Sequence, residues 1–224
     1  MAVTDEAIVR IRGMIVAGEL SPGQRLPTEK ELGEQLGLSR NSLREAVKAL
    51  ELIRVLDVRQ GDGTYVTSLK PHLLLEAMSF VVDLHQDESV LEILEVRRVL
   101  ETHAAGVAAR RITPEQIQQL DAMLLSVDES TSVEDLVAHD MDFHRLVAHS
   151  AGSAYLSSLL AGLSSSTVRA RVWRGLTEAR SVTRTLAEHR AILDALADHD
   201  SDAARAWTAV HVGGVEAWLR RSLE

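Results

Sequence analysis

Apolar and polar positions along the chain alternate with two different periods, and the change of period divides it. In "DEAIVRIRGMIVA", residues 5–17, Ile8, Ile11, Ile15 and Val16 recur at helical spacing; "GELSPGQRLP" then ends the helix with two glycines and two prolines. "PTEKELGEQLG" predicts a short second helix. Thr28 and Glu31 have capping-box spacing, Pro27 precedes the cap, and Leu32 and Leu36 form the apolar side. Gly37 and Leu38 make a tight turn, Ser39 can cap a third helix, and "RNSLREAVKALEL" sets Leu43, Ala46, Val47 and Leu50 on one face. Two helices joined by about three residues including a glycine predict a helix-turn-helix. Next, "VLDVRQGDGTYVTSL" alternates with period two around "GDG", a hairpin with a glycine-supported turn, and a hairpin against three helices makes a winged helix.

"SLKPH", residues 68–72, reads as a linker, with Pro71 stopping the second strand. Beyond it the pattern is helical throughout. Helices are expected over 73–85, 88–111, 114–127, 132–149, 154–175, 180–198 and 202–222, opened by Ser89 with Glu92, Thr113 before Pro114, Thr131 with Glu134, and Ser201. The expected fold is mainly α: a winged helix-turn-helix domain over residues 1–70 and an all-α bundle of about seven helices over 71–224.

Charge supports the division. Over residues 1–70, ten Lys and Arg balance ten Asp and Glu, so the whole net charge of -9 falls on the remainder, which has 14 basic and 23 acidic residues. Two modules with different partners are expected. No apolar run approaches a membrane span, and "MAVTDEAIVRIRG" lacks the apolar core of a signal peptide, so the expected location is cytoplasmic with no membrane partner. The absence of cysteine leaves imidazole and carboxylate as the ligands for any metal.

Candidate chemistry lies in both modules. Arg40, Asn41 and Arg44 stand near the start of the third helix and off its apolar face, where a recognition helix presents side chains to the major groove. Arginine pairs bidentately with guanine and asparagine with adenine, while Ser39, Thr28 and Lys30 are placed to hold phosphates. In the second module, "HDMDFH" sets Asp140 and His144 four apart on one helix face. Asp142 is rotated about 200° from Asp140, and His139 and His149 about 140° from His144, so neither histidine nor Asp142 joins that pair. Further ligands must come from neighbouring helices, which offer His189 in "EHRAIL" and His211 in "AVHVGG". One carboxylate and three imidazoles suit zinc, nickel or another first-row divalent ion.

The stretch "GELSPGQRLPTEKELGEQLGLSRNSLREAVKALE…RQGDGTYV" resembles the winged-helix domain of the GntR family of bacterial transcription regulators over roughly residues 7–67. The resemblance implies that Lys30, Arg40, Asn41 and Arg44 contact operator bases or backbone and that Gln60 and Gly61 at the wing tip reach the minor groove. Two positions depart from it: Arg54 stands where members often have glycine, and Asp62, which would repel phosphate, where the wing often carries a basic residue. Residues from about 73 to 221 resemble the FCD effector domain of the FadR subfamily, in which "DxxFH" and single histidines on the last two helices bind a metal. "DMDFH", "EHRAILDAL" and "VH" match, which gives Asp140, His144, His189 and His211 as the ligand set. In "LEVRRVLETHAAGVAAR", Glu95, Arg97 and Glu101 resemble the signature that opens the effector cavity, where Arg97 would grip a ligand carboxylate. Arg169, Arg171 and Arg174 in "VRARVWR" are rival anchors, and the effector set is taken as Arg97, Glu101 and Arg171.

The expected function is a homodimeric regulator that binds an inverted repeat of operator DNA, holds a divalent metal, zinc foremost, and responds to a small organic acid. It is not expected to be an enzyme. The alternative is a metal-dependent hydrolase-like bundle fused to a DNA-binding module, which would need a base to take a proton from metal-bound water; Glu188 projects about 100° from its neighbour His189.

Overall fold

In the computed structural model, which describes residues 3–71, 73, 88–178 and 180–223, the first apolar stripe folds as helix α1 (Val3–Val16). Its buried line is Ala7, Ile11 and Met14, at i, i+4 and i+7. Val16, expected on the buried face, is 80% exposed, because five residues past Ile11 it has turned about 140° away. Helix α2 (Glu29–Leu36) starts at the Thr28 capping box with Glu31 and ends at Gly37, whose φ of 69° closes the last turn. Helix α3 (Arg40–Leu52) is capped by Ser39 and buries Leu43, Ala46, Val47 and Leu50. Strands β1 (Leu56–Arg59) and β2 (Gly63–Val66) pair antiparallel, with Leu56 opposite Val66 and Arg59 opposite Gly63.

One strand-like contact has no signal in the sequence. Leu26 N–H donates to the Thr64 carbonyl at 2.7 Å, Val66 N–H to that of Gln24 at 2.9 Å, and Arg25 bridges Tyr65. The segment between α1 and α2 thus pairs with the free edge of β2 and joins the hairpin to the helices. At the base of the hairpin, Thr67 donates from Oγ1 to the Arg54 carbonyl at 2.7 Å, and Arg54 adopts a left-handed φ of 58°.

The chain divides into two compact units, one up to residue 78 and one from residue 79. The helix expected over 73–85 lies outside the described residues apart from residue 73. In the second unit the described helices are α4 (Glu88–Ala108), α5 (Pro114–Leu125), α6 (Val133–Ser150), α7 (Ala154–Ser165), α8 (Val168–Thr177), α9 (Ser181–Ala197) and α10 (Ser201–Leu223). Helix α10 runs antiparallel along α4, tied at one end by Arg98 Nε to Glu216 (3.1 Å) and at the other by Arg110 to Ser201 Oγ (3.0 Å). Phe143, Leu120, Ile192 and Leu196 lie at the centre of the main core.

Three caps differ from expectation. Ser132, paired with Asp135, caps α6 in place of Thr131 with Glu134. Asp200 accepts from the amides of Asp202 and Ala203 at the start of α10, so Ser201 is already helical. Ser89 lies inside α4. The single helix expected over 154–175 is two helices. In "SSST", Ser165 and Ser166 donate to the Gly162 carbonyl and Thr167 to that of Ser164, so hydroxyls compete for backbone acceptors and the helix breaks at Ser166–Thr167.

Candidate functional site

Asp140 and His144 stand one turn apart on the core side of α6, in a stripe otherwise built of Leu136, Val137, Phe143 and Val147. His189 comes from α9 and His211 from α10, and all four residues are buried. Each offers one ligand atom, and the four atoms lie within 4.8 Å of one another. Their centre is Asp140 Oδ1: His189 Nε2 and His211 Nε2 each lie 3.1 Å from it and His144 Nε2 lies 3.6 Å away. Asp140 Oδ2 is held by Arg171 Nη1.

The rings are fixed from behind. His211 Nδ1 bonds Glu188 Oε2 at 2.9 Å, and His144 Nδ1 lies 2.9 Å from Glu101 Oε2, an ion-pair contact without hydrogen-bond alignment. Phe143 stacks on His189 with ring centres 4.3 Å apart. Carboxylates behind the distal nitrogens orient imidazoles toward a shared centre, as they do around metal ions.

The donor set fits a divalent cation. One carboxylate oxygen has two lone pairs, which His189 and His211 face, and the buried His144 Nε2 has no hydrogen-bond partner among the described residues. A cation at this point of convergence satisfies all three nitrogens and the carboxylate together. Electrostatics prepare the same point. Burial alone would raise the Asp140 carboxyl, yet the Arg171 guanidinium and His144 hold it well below its ordinary value. Burial would likewise raise Glu101, but Arg97 and His144 keep it ionised. His144 is depressed by burial and raised more strongly by Glu101 and Asp140, reaching about 9, whereas burial pushes His189 down to about 3.

The expected effector residues divide by position. Arg97 gives Nε to Glu101 (2.7 Å) and Nη1 to Thr167 Oγ1 (2.6 Å), so Arg97 and Glu101 form a buried brace behind His144. Arg171 bonds Asp140 and the Ser164 carbonyl (2.5 Å). Glu95 and Arg169 are exposed. Arg171 and Arg174 line a cavity of about 40 Å³ that reaches Asp140 and His211. His139 bonds the Met123 carbonyl at 3.0 Å and His149 is exposed, so both stay outside the cluster. Sequence reasoning missed Glu188, which turns from His189 toward His211 on the adjacent helix.

In the first unit, Lys30, Arg40, Asn41 and Arg44 are exposed, as are Gln60 and Gly61 at the hairpin tip, where Gly61 has a φ of 78°. Arg44 lies 3.5 Å from Glu29. The hydroxyls of Thr28 and Ser39 cap α2 and α3. Asp62 accepts from Tyr65 Oη at 3.0 Å, and Arg59 stacks over the Tyr65 ring.

A family model described as "FCD domain" matches residues 92–214, and one described as "Bacterial regulatory proteins, gntR family" matches residues 3–66. The HTH-type transcriptional regulator Mce2R of Mycobacterium tuberculosis is 34% identical over 158 residues, 68% of this chain and 65% of that protein. LutR of Bacillus subtilis, also an HTH-type transcriptional regulator, is 30% identical over 153 residues, 68% of this chain and 69% of that protein. The match to Mce2R therefore spans just under two thirds of the relative's own length. Among solved structures, Streptococcus agalactiae GntR superposes with a TM-score of 0.73 at 27% identity, covering 96% of this chain and 99% of that one.

Proposed function

The chain belongs to the gntR family of bacterial regulatory proteins and carries an FCD domain, and on that premise we propose that it is a DNA-binding transcriptional regulator whose helical unit binds a divalent metal and a small organic acid. One observation carries the second half: three imidazole Nε2 atoms and Asp140 Oδ1 converge in a buried site with carboxylates behind two of the rings. Asp140, His144, His189 and His211 are the ligands in this reading, and zinc is the ion that suits them best. When bound, the ion offers a coordination position to an acid's oxygen. Residues of the chain do the rest: Arg171 holds Asp140, and Glu188 and Glu101 aim His211 and His144.

In the first unit Arg40, Asn41 and Arg44 read operator bases from α3, while Lys30 and the wing tip Gln60–Gly61 hold the backbone and minor groove. Thr28 and Ser39 act through the helices they cap. A homodimer on an inverted repeat supplies the symmetry that two such units need. A DNA-binding regulator works in the cytoplasm in this reading; among the described residues no helix is long and apolar enough to cross a membrane. Hydrolysis is not favoured. Both family models and the relatives are regulators, and Glu188 and Glu101, the acids beside the cluster, are committed to His211 and to Arg97 and His144.

Selection of bound duplexes from a random DNA pool tests the reading. The full chain should enrich an inverted repeat, and the Arg40→Ala/Asn41→Ala variant should not. Equal enrichment by both would remove α3 from the contact, and no enrichment by the parent would overturn the DNA-binding reading.

A further inference from the structure

Three buried arginines surround the metal cluster, and in two of them both terminal nitrogens, the pair that grips a carboxylate end-on, already have protein partners. Arg97 places Nε and Nη2 on Glu101 and Nη1 on Thr167. Arg171 places Nη1 on Asp140 and Nη2 on the carbonyl and hydroxyl of Ser164, which leaves only its inner Nε without a partner among the described residues. Each also braces a metal-site residue, His144 through Glu101 for one and Asp140 for the other.

Arg174, one turn beyond Arg171 on α8, is 3% exposed and differently placed. Its Nε donates to Glu178 at 2.5 Å, which fixes the plane of the guanidinium. Its Nη2 is buried with no hydrogen-bond partner among the described residues. Glu178 also pairs with Arg184 at 2.6 Å and lies 3.7 Å from Arg221, so its single charge is divided among three arginines and leaves Arg174 under-compensated. Buried donors without partners are rare because desolvation is costly, and charged ones more so. Arg174 faces the cavity that it shares with Asp140, Arg171 and His211.

The geometry points to Arg174 as the residue that binds the effector's carboxylate, with Asp140 and His211 at the metal side of the same cavity. Its vacant donor is supplied with the one partner that the fold omits. The cavity, about 40 Å³ between Leu136, Val137 and Val215, is small and in part apolar, which favours a short aliphatic acid. This assignment rests on the carboxylate-effector reading above and refines it to one residue that neither holds the metal ligands nor braces them.

Calorimetric titration of the zinc-loaded full chain with acetate, L-lactate, succinate and citrate tests it, with metal content measured on each preparation by plasma mass spectrometry. The expected result is binding of at least one of the smaller acids by the parent, and a loss of about 30-fold or more in Arg174→Gln at unchanged metal content. Arg174→Lys, which keeps the charge without the planar fork, should lose on the order of 5-fold. Arg174→Gln binding as tightly as the parent overturns the role of Arg174 and leaves the carboxylate reading standing. No binding by the zinc-loaded parent overturns both. If Arg174→Gln fails to fold or to hold metal, Arg174→Lys decides in the same way, with parent-like affinity overturning the assignment.

Discussion

At the scale of single residues, the two histidines that face Asp140 from α6 and α9 are driven in opposite directions. His144, between two carboxylates, holds its proton up to about pH 9, and His189, buried beside other imidazoles, refuses one down to about pH 3. In the metal-free chain His144 contributes stability below the ordinary imidazole value of 6.5, and that contribution is lost as pH rises through about 9. The contribution of His189 is present above 6.5 and lost as pH falls toward 3. Together they place the stability maximum of the metal-free site near 6.5. Metal reverses the alkaline side, because ligation needs neutral imidazole and must displace the His144 proton. Melting temperature against pH should therefore fall between pH 7 and 9 after chelation and rise over that window with excess zinc. Parallel curves in the two states would show that the ion does not bind at His144. The four residues of the cluster were legible as neighbours: Asp140 and His144 from one-turn spacing, His189 and His211 from the family pattern. Glu188 was not, because helical rotation places it relative to His189 on its own helix, while its partner His211 is 23 residues away on α10.

Among the elements, the departures from expectation share a cause: local polar groups or backbone geometry that periodicity does not register. The apolar stripes of α2, α3 and α6 fixed their faces, because each buries one side against a core that the stripe itself defines. The hydroxyls of "SSST" split a stretch that carries no glycine or proline at the break, and α8 then starts afresh with Arg171 and Arg174 toward the cluster. Likewise the pairing of Arg25 and Leu26 with β2 depends on a sheet edge that only the folded hairpin supplies. Arg54 is the case where a sequence departure and a structural feature coincide. It occupies a left-handed φ of 58° at the turn from α3 into the wing, where the family often has glycine. A side chain there costs about 1 kcal/mol relative to glycine. Arg54→Gly removes that strain together with the interaction Arg54 makes, so it should stabilise the first unit by less than that amount, read as a higher urea midpoint for its unfolding. A lower midpoint would mean that the interactions of the Arg54 side chain outweigh the backbone strain.

For the molecule as a whole, a regulator requires that the two units be coupled, and coupling has a thermodynamic signature that needs no knowledge of how the units sit together. An acid bound in the helical unit can alter operator affinity only through a preference for one state of the protein over another. If it changes the DNA dissociation constant by some factor, saturating DNA must change the acid's dissociation constant by the same factor, typically 5- to 150-fold for a coupling of about 1–3 kcal/mol. Both factors are measurable on the zinc-loaded chain, one by fluorescence anisotropy of a selected operator with and without acid, the other by calorimetry of the acid with and without operator. They should agree within error and differ from one. His189→Ala, which removes one nitrogen of the proposed metal site and lies far in sequence from the residues proposed to contact DNA, should bring both factors to one while the acid-free protein still binds operator. Factors of one in the parent would leave a DNA-binding unit and an acid-binding unit that share a chain without regulating each other, and the regulatory reading would fall although each binding activity stood.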